Sequence, residues 1–303
     1  MKEYLVFDWG GTYLKYALMQ EDTAILEQGK VPSPGKEDTL EIFLSTIDAI
    51  IEKYRARIAG IAVSAPGIID SSAGILKVVG AFPYLCGYAL KEETEKRWGV
   101  PVSVENDAKC AALAEYWKGN LAGCTNGAVM ILGTSVGGGI ILDGKLRRGP
   151  HGSAGEFSGM CTNLNDPGND ASYWGALGTR GLLKMYADKT EKDPAELTGE
   201  AFFERVNIGE ATALDVLYEY TGKLAMQIFG LNLLLDLNKV CVGGGISRQP
   251  MLLKSLQRSI EHIKKIHPDL VQGTELPLPV TDVCKFYNEA NLIGALYHLL
   301  YEK

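Results

Sequence analysis

The sequence predicts an α/β protein built from two related lobes with a cleft between them. At 303 residues the chain is long enough for two separate cores, since single domains usually contain about 100–200 residues. Strand-like and helix-like segments alternate along it, as in α/β folds. An apolar strand, a glycine turn and a second strand occur twice, near Gly10 and near Gly133, each time at the start of one half. We place the boundary between the halves near residue 118.

The first half begins with strands. Residues 4–7 form an apolar run, and residues 13–19 resume the strand pattern after a glycine turn, which predicts a hairpin. Apolar residues at helical spacing predict a helix over 40–54. Strands are predicted at 58–65 and 102–104, and the second of them leads directly into another helix.

The second half repeats this opening. Strands are predicted at 128–132 and 136–142, and a strand at 240–242 runs into three glycines. The segment 211–238 is apolar nearly all round in its later part, which predicts a buried central helix. An amphipathic helix is predicted at 288–300. We therefore divide the chain into an N-terminal lobe, a C-terminal lobe and a final helix at residues 1–118, 119–287 and 288–303.

Composition and charge argue against several classes of protein. The 37 acidic and 30 basic residues give a formal charge of −7, which disfavours a general affinity for nucleic acid or anionic membranes. No apolar stretch of about 18 residues predicts a membrane span, and the strand pattern begins too early to leave room for a signal peptide. The six cysteines lie far apart without a C-x-x-C pair. Reduced thiols and a cytoplasmic location are therefore expected.

The first glycine turn has the features of a phosphate-binding site. Gly10 and Gly11 let backbone N–H groups approach an anion because no Cβ intervenes. Thr12 adds a hydroxyl donor, and Lys15 adds a positive charge nearby. Asp8, at the end of the strand, is placed to hold Mg²⁺ directly or through water. A plain tight hairpin is the alternative interpretation.

Two further glycine turns follow strands in the second half. Gly133, Thr134 and Ser135 offer the same phosphate chemistry, and a glycine bulge in a packed strand is the alternative. The other turn follows an apolar strand, where the lack of side chains lets a flat adenine lie against the backbone. Its alternative is a simple strand-to-helix connection. This third turn consists of Gly243, Gly244 and Gly245.

Three polar residues are candidates for chemistry on a hydroxyl group, and two of them, Asp107 and Glu156, are acidic. Asn106 and Asp107 lie where a strand becomes a helix, so helix capping is the alternative for either. In the functional hypothesis Asp107 accepts a proton from an attacking hydroxyl, because an aspartate with a pKa of about 4 is ionised at neutral pH. Glu156 stands among small residues and suits two hydrogen bonds to vicinal hydroxyls. A solvated loop acid is its alternative.

Together these segments resemble the ROK family of sugar kinases and related repressors. The matching stretches occur in the family order, and they are residues 7–15, 65–67, 105–108, 132–139, 149–156 and 242–245. The resemblance implies an actin-like, ribonuclease H-like ATPase fold of two lobes, with the last helix returning to the first lobe. It also implies that the chain forms a homodimer.

The resemblance assigns roles to the candidate residues. It implies ATP phosphates at the first two glycine turns, adenosine at the third, and Mg²⁺ near Asp8. Asp107 matches the catalytic base of the family. Sugar contacts are implied for Asn106, Asp107 and Glu156, with the turn at Gly67 nearby. The hydroxyl usually attacked by kinases of this type is that at position 6.

Two departures from the family concern zinc. The histidine that usually follows Ala-Gly-Glu is absent, because Phe157 to Met160 stand there. The usual cysteine-rich zinc segment is also missing, and His151 with Cys161 supplies two ligands where structural zinc needs about four. We therefore predict no zinc site and a sugar pocket rebuilt by the segment 163–174. Glucose, fructose, N-acetylmannosamine and a β-glucoside all remain open as substrates.

Three rival functions share some of these sequence features. Residues 133–137 match the G-x-S-x-G elbow of serine hydrolases, but the elbow requires a helix after the turn and a strand pattern follows here. A repressor of the family carries a helix-turn-helix domain ahead of the kinase part, and only six residues precede Phe7. The third rival is a catalytically weak sugar sensor, against which Asp8, Lys15 and Asp107 argue.

Overall fold

The computed structural model describes residues 1–266 and 278–302, which form two compact units. Unit 1 comprises Met1–Lys118, Arg148–Ala154 and Asn288–Lys303, and unit 2 comprises Gly119–Arg147 and Gly155–Tyr287. Both units combine strands with helices, so the predicted α/β class is confirmed.

The first segment of unit 1 contains a five-stranded sheet, a two-stranded sheet and three α-helices. The large sheet has the order β3-β2-β1-β4-β7, in which β1 pairs antiparallel with β2 and parallel with β4, and β4 pairs parallel with β7. The strands are β1 Glu3–Trp9, β2 Tyr13–Gln20, β3 Ile25–Pro32, β4 Ile58–Ala65, β5 Ile68–Asp70, β6 Ile75–Val78 and β7 Val102–Asn106. The helices are α1 Leu40–Tyr54, α2 Leu90–Trp98 and α3 Asp107–Lys118.

Helix α1 shows why this sequence folds as it does. The Thr39 hydroxyl accepts the backbone N–H of Ile42 and caps the helix. Phe43, Ile47 and Ile51 recur at helical spacing and are buried, so one face packs against the sheet. The predicted helix over 40–54 is confirmed.

Unit 2 repeats the arrangement of a sheet with helices. Its sheet has the order β10-β9-β8-β11-β12, with β8 and β9 antiparallel and β8 and β11 parallel. The strands are β8 Gly127–Leu132, β9 Val136–Leu142, β10 Lys145–Leu146, β11 Lys239–Gly243 and β12 Val280–Val283. The helices are α4 Thr179–Thr190, α5 Gly199–Asn207, α6 Ala211–Leu235 and α7 Pro250–Ile266.

The last helix, α8 (Ala290–Tyr301), packs in unit 1 against α3. The two helices approach so closely that a Cβ at Gly294 would overlap with the carbonyl of Cys110. Only glycine permits this contact, because any side chain would push the helices apart.

The prediction of a buried helix over 211–238 is wrong in its last part. Helix α6 buries one face, including Tyr220, Leu224 and Ile228. Its last turns leave Leu233 53% exposed and Leu234 77% exposed. Apolar composition predicted burial there, but composition does not say whether a neighbouring element covers each face. No helix within the described ranges is both long enough and apolar enough to cross a membrane.

Candidate functional site

Three parallel strands of unit 1 bring candidate residues to one edge of its sheet. Asp8 of β1 pairs with Ser64 of β4, and Ala65 of β4 pairs with Asn106 of β7. Because β1, β4 and β7 are parallel, their carboxyl ends lie at the same edge, where ligands bind in open α/β sheets. This edge holds the first glycine turn, the turn at Gly67 and the start of α3.

Asp8 is a buried carboxylate, 5% exposed, surrounded by donors. The Lys15 ammonium donates to Oδ2 at 3.2 Å, and the Asn291 amide donates to Oδ1 at 2.9 Å. The Ser64 hydroxyl donates to Oδ1 at 3.4 Å. These contacts offset the cost of burying the charge. The sequence singled out Asp8 and Lys15 but gave no local signal for Asn291, which lies 283 residues along the chain from Asp8.

The first glycine turn is held by its carbonyl groups. The Gly10 N–H donates to Tyr13 O at 3.1 Å, and Ser33 donates to Gly10 O through its hydroxyl and to Thr12 O through its N–H. Gly11 and Thr12 are exposed, and a Cβ added at Gly11 would meet nothing within 4 Å. Packing therefore does not require glycine at position 11, which leaves close approach of a ligand as a reason for it.

The start of α3 separates the roles of Asn106 and Asp107. Asn106 is buried, and its Oδ1 accepts the backbone N–H of Lys109 at 3.1 Å, as a capping side chain does. Its Nδ2 donates to Gly67 O at 2.9 Å. Asp107 is the first residue of the helix, partly exposed, and its Oδ1 accepts the Ala108 N–H at 2.7 Å.

The Gly67 turn needs glycine for its backbone. Gly67 has a φ of 100°, and a Cβ there would overlap with the carbonyl of Val78. A left-handed conformation this crowded excludes every other residue. The structure thus brings together Gly67, Asn106 and Asp107 in unit 1.

In unit 2 the second and third glycine turns are neighbours. Strands β8 and β11 pair in parallel with Ile131 opposite Gly243. Gly244 has a φ of 95°, and a Cβ on it would overlap with the carbonyl of Leu132. The turn at residues 133–135 and the turn at residues 243–245 therefore leave the same edge of the sheet side by side.

The Ser135 hydroxyl makes its hydrogen bonds within unit 2 with a carbonyl and another hydroxyl, and not with a base that would activate a nucleophile. It donates to Gly175 O at 3.1 Å and lies 2.8 Å from the Ser158 hydroxyl. The chain continues from this turn into β9, an antiparallel strand, and not into a helix. Because the nucleophile elbow requires strand, turn and helix, the hydrolase hypothesis is wrong.

The glycine-rich part of β9 has a packing role. A Cβ at Gly138 would overlap with the ring of Phe157, and a Cβ at Gly155 would lie 2.9 Å from Gly138 O. Packing in a strand therefore accounts for Gly138, although β8 and β9 pair through this stretch without the bulge that the alternative interpretation named. Gly133 differs, since the nearest contact of a Cβ there would be Ser135 O at 3.7 Å.

A cavity of about 290 Å³ lies beside the third glycine turn. It joins that turn to the start of α4 and to α5, whose first turn is capped by the Thr198 hydroxyl. Most of its lining could not be predicted from the sequence, because α4 and α5 carry no motif. The lining residues are Thr179, Gly199, Glu200, Phe203, Gly245, Ile246 and Gln249.

Glu156 lies in unit 2, where it is exposed and precedes a short 3-10 turn, Phe157–Gly159. The ring of Phe157 packs on the buried Trp174, with centroids 4.9 Å apart. Backbone pairing of Cys161 with Tyr173 and a 2.8 Å bond from Trp174 N–H to Met160 O close the intervening segment. No group of three His, Cys, Asp or Glu side chains within residues 1–266 and 278–302 is placed to share a metal ion.

Comparison with known proteins gives consistent matches. Residues 4–299 match the ROK family. A beta-glucoside kinase from Klebsiella pneumoniae is 32% identical over 297 residues, covering 96% of this chain and 94% of that protein. A crystal structure of a ROK family protein from Streptococcus pneumoniae in complex with sucrose has a TM-score of 0.87 and 27% identity, covering 98% of both chains. A ROK family glucokinase from Streptomyces griseus, in complex with glucose and AMPPNP, has a TM-score of 0.78 and 25% identity, covering 97% of this chain and 98% of the other.

Proposed function

Because this chain belongs to the ROK family and is an ATP-dependent sugar kinase, we propose that it phosphorylates the 6-hydroxyl of a β-glucoside. Asp107 is the base that receives the hydroxyl proton, and Mg²⁺ accompanies the nucleotide. The division of roles at the start of α3 carries this proposal: Asn106 makes the capping hydrogen bond, so Asp107 is not needed for it.

The acceptor side of the reaction depends on Asn106 and Asp107. The proton of the attacking hydroxyl passes to the Asp107 carboxylate as the oxygen bonds to the γ-phosphorus and the bond to ADP breaks. Such transfer depends mainly on positioning and charge neutralisation, so an ordinary carboxylate suffices. The Asn106 amide has two N–H groups and an oxygen with two lone pairs. Its bonds to Gly67 and Lys109 use one of each and leave hydrogen-bonding capacity for sugar hydroxyls. Glu156 adds a carboxylate for vicinal hydroxyls.

The nucleotide side uses the three glycine turns. The exposed turns at residues 10–12 and 133–135 bind ATP phosphates, and Lys15 adds positive charge. Adenosine lies at the turn of residues 243–245, which is supported by the adjoining cavity of about 290 Å³. Asp8 fits Mg²⁺ through water, because its two oxygens already accept from Lys15 and Asn291. When bound, Mg²⁺ neutralises the charge of the phosphates.

The relatives support a glycoside as the sugar. The Klebsiella protein is named a beta-glucoside kinase, and the Streptococcus structure holds sucrose, a disaccharide. A site for such sugars must have room beyond one hexose ring. The segment 163–174, closed by Phe157 and Trp174 in place of a zinc segment, is the candidate for shaping that room.

ADP release with MgATP tests the proposal. The panel is methyl β-D-glucoside, methyl α-D-glucoside, glucose, fructose and N-acetylmannosamine, with NMR of the product to locate the phosphate. The β-glucoside should give the highest kcat/KM and a 6-phosphate. The Asp107→Asn protein should lose at least about 10²-fold in kcat, as removal of a positioned base does, while still binding sugar by calorimetry. Near-normal turnover of that variant would exclude Asp107 as the base, and sugar binding without turnover in the wild type would favour a sensor.

We also propose a homodimer and a cytoplasmic location. The exposed apolar side chains of α6, Leu233 and Leu234, support self-association. The cysteines of the described residues are thiols and not disulfides, which supports a reducing compartment.

A further inference from the structure

A buried carboxylate lies directly before the candidate site residues. Glu105, the fourth residue of β7, is 1% exposed. Its Oε1 accepts the backbone N–H of Asn106 at 2.7 Å, and its Oε2 accepts from Nε of Arg148 at 2.6 Å. One carboxyl group therefore joins the backbone at the start of α3 to a cation from a distant part of the chain.

Arg148 is held from two sides. Its terminal nitrogen contacts the Glu302 carboxylate and lies 3.3 Å from Nδ1 of His298, both contributed by α8 and its end. Burial opposes the charged form of Arg148, but Glu105 and Glu302 outweigh it and raise the pKa of the guanidinium. Burial likewise raises the pKa of Glu302, but His298 and Arg148 outweigh it and lower that pKa. Arg148 thus contacts two carboxylates with different nitrogens, Glu105 through Nε and Glu302 through a terminal nitrogen, and such charge-assisted hydrogen bonds are stronger than neutral ones.

The pair matters because Glu105 cannot be buried and charged alone. A buried carboxylate without its cation is strongly destabilised and moves or takes up a proton. Either response alters the Glu105 carboxylate, which accepts the backbone N–H of Asn106. Asn106 in turn caps α3 and directly precedes Asp107. Reacting groups must be held to within about 0.5 Å of the productive geometry.

Arg148 also anchors a second part of the same region. Its carbonyl accepts the Ala154 N–H at 3.0 Å, closing the loop Arg148–Ala154 of unit 1. Within this loop a Cβ at Gly152 would lie 2.7 Å from the carbonyl of Ile69, so the loop packs on β5, the strand that follows Gly67. The guanidinium and the backbone of one residue thus fix both the start of α3 and a neighbour of the Gly67 turn.

We propose that Glu105 and Arg148 are positioning residues for Asp107, acting through the backbone of Asn106. The proposal rests on the proposed function of Asp107 as the base. Neither side chain touches the reacting atoms; together they set where the base stands.

Steady-state kinetics with MgATP and methyl β-D-glucoside test the pair. Arg148→Gln, Glu105→Gln and the double variant are compared with Arg147→Gln, a matched change at an adjacent exposed arginine. Each of the three should lose about 10- to 100-fold in kcat, the cost of a misplacement near 1 Å, with KM for MgATP within about twofold. The double variant should be no worse than the poorer single variant, because coupled residues are not additive. Arg148→Lys, which keeps the charge but not the fork, should recover part of the loss.

Several outcomes would overturn the proposal. A kcat of Arg148→Gln within about twofold of wild type does so, and so does a double variant that multiplies the single losses. If Arg148→Gln does not fold, Glu302→Gln, which removes one of the two carboxylates, should lower kcat in the same direction, and no change contradicts the idea. Hydrogen exchange of the backbone over 104–110 should be faster in Arg148→Gln than in Arg147→Gln, a readout that needs no activity.

The controls separate this proposal from the function on which it rests. If Asp107→Asn is active, Asp107 is not the base and the positioning proposal fails with it. If Asp107→Asn is inactive and Arg148→Gln is fully active, Asp107 remains the base and only the positioning proposal is contradicted.

Discussion

At the scale of single residues, Asn106 and Asp107 look interchangeable in the sequence, since both are good capping residues. The structure gives the capping bond to Asn106, whose amide also reaches Gly67. The sequence predicted that these positions matter because a strand ends where a helix begins. It left open which of the two side chains caps the helix, because that depends on the helix starting at residue 107 and not one residue later.

Asn291 is the residue that sequence analysis had no means of finding. Its amide donates to Asp8, the proposed Mg²⁺ residue, across most of the chain. Hydrogen bonds to charged groups contribute about 1.5–3 kcal/mol to stability. We expect Asn291→Ala to lower the free energy of unfolding by about 2 kcal/mol and to raise the Mg²⁺ concentration needed for half-maximal activity.

Urea unfolding and a Mg²⁺ titration of activity would measure these two effects. Asn288→Ala is the matched control, because Asn288 is exposed in the same chain segment. Equal Mg²⁺ requirements in the two variants would remove Asn291 from the support of Asp8.

At the scale of elements, glycine-rich segments were the least predictable from the sequence. Gly133 and Gly138 lie five positions apart, and the motif treats them alike. The structure separates them: Gly138 is glycine because Phe157 covers it, whereas a Cβ at Gly133 would make only an ordinary contact, 3.7 Å from Ser135 O. A one-dimensional pattern cannot show this, because Phe157 comes from a later turn.

This difference predicts opposite effects for one kind of substitution. Gly138→Ala should lower the free energy of unfolding by about 1–3 kcal/mol, because the added methyl overpacks against the Phe157 ring. Gly133→Ala should leave stability nearly unchanged and raise KM for MgATP, because the methyl occupies space proposed for phosphate. Chemical denaturation and kinetics on both proteins check this. A stable Gly138→Ala protein would contradict the packing argument, and an unchanged KM in Gly133→Ala would remove that turn from the phosphate site.

The segment after Glu156 is closed by aromatic packing. Trp174 is fully buried against Phe157 and belongs to the cluster that also contains α6. Trp174→Ala should lower the free energy of unfolding by about 3–5 kcal/mol in chemical denaturation.

Treatment with 1,10-phenanthroline, which binds zinc more strongly than magnesium, should change neither the melting temperature nor the activity. A loss of stability with the chelator would show a structural zinc and overturn the prediction that there is none.

At the scale of the whole molecule, the family was predictable because six short motifs keep their order along the chain. The exposure at the end of α6 was not predictable, because apolar residues indicate burial but do not show which neighbouring element covers them.

We expect light scattering to give the mass of a dimer. Leu234→Lys should shift that mass to a monomer, since it places a charge on the exposed apolar side chains. Ile208→Lys changes an exposed apolar residue outside α6 and serves as the control; dissociation by both variants or by neither would place the contact elsewhere.

The way unit 1 is assembled has a consequence for how the protein is made. Its large sheet is made from residues 3–106, yet α8, which packs on α3 and gives Asn291 to Asp8, follows unit 2 in the chain. A nascent chain in which β1 to β7 have already been made therefore lacks α8 until all of unit 2 has been synthesised. Until then the core of unit 1 is incomplete. Translation that stops before α8 leaves Asp8 without its amide donor and Cys110 without Gly294 against it. Chains that stop before α8 should consequently be substrates for chaperones and proteases, and only chains that contain α8 should phosphorylate sugar.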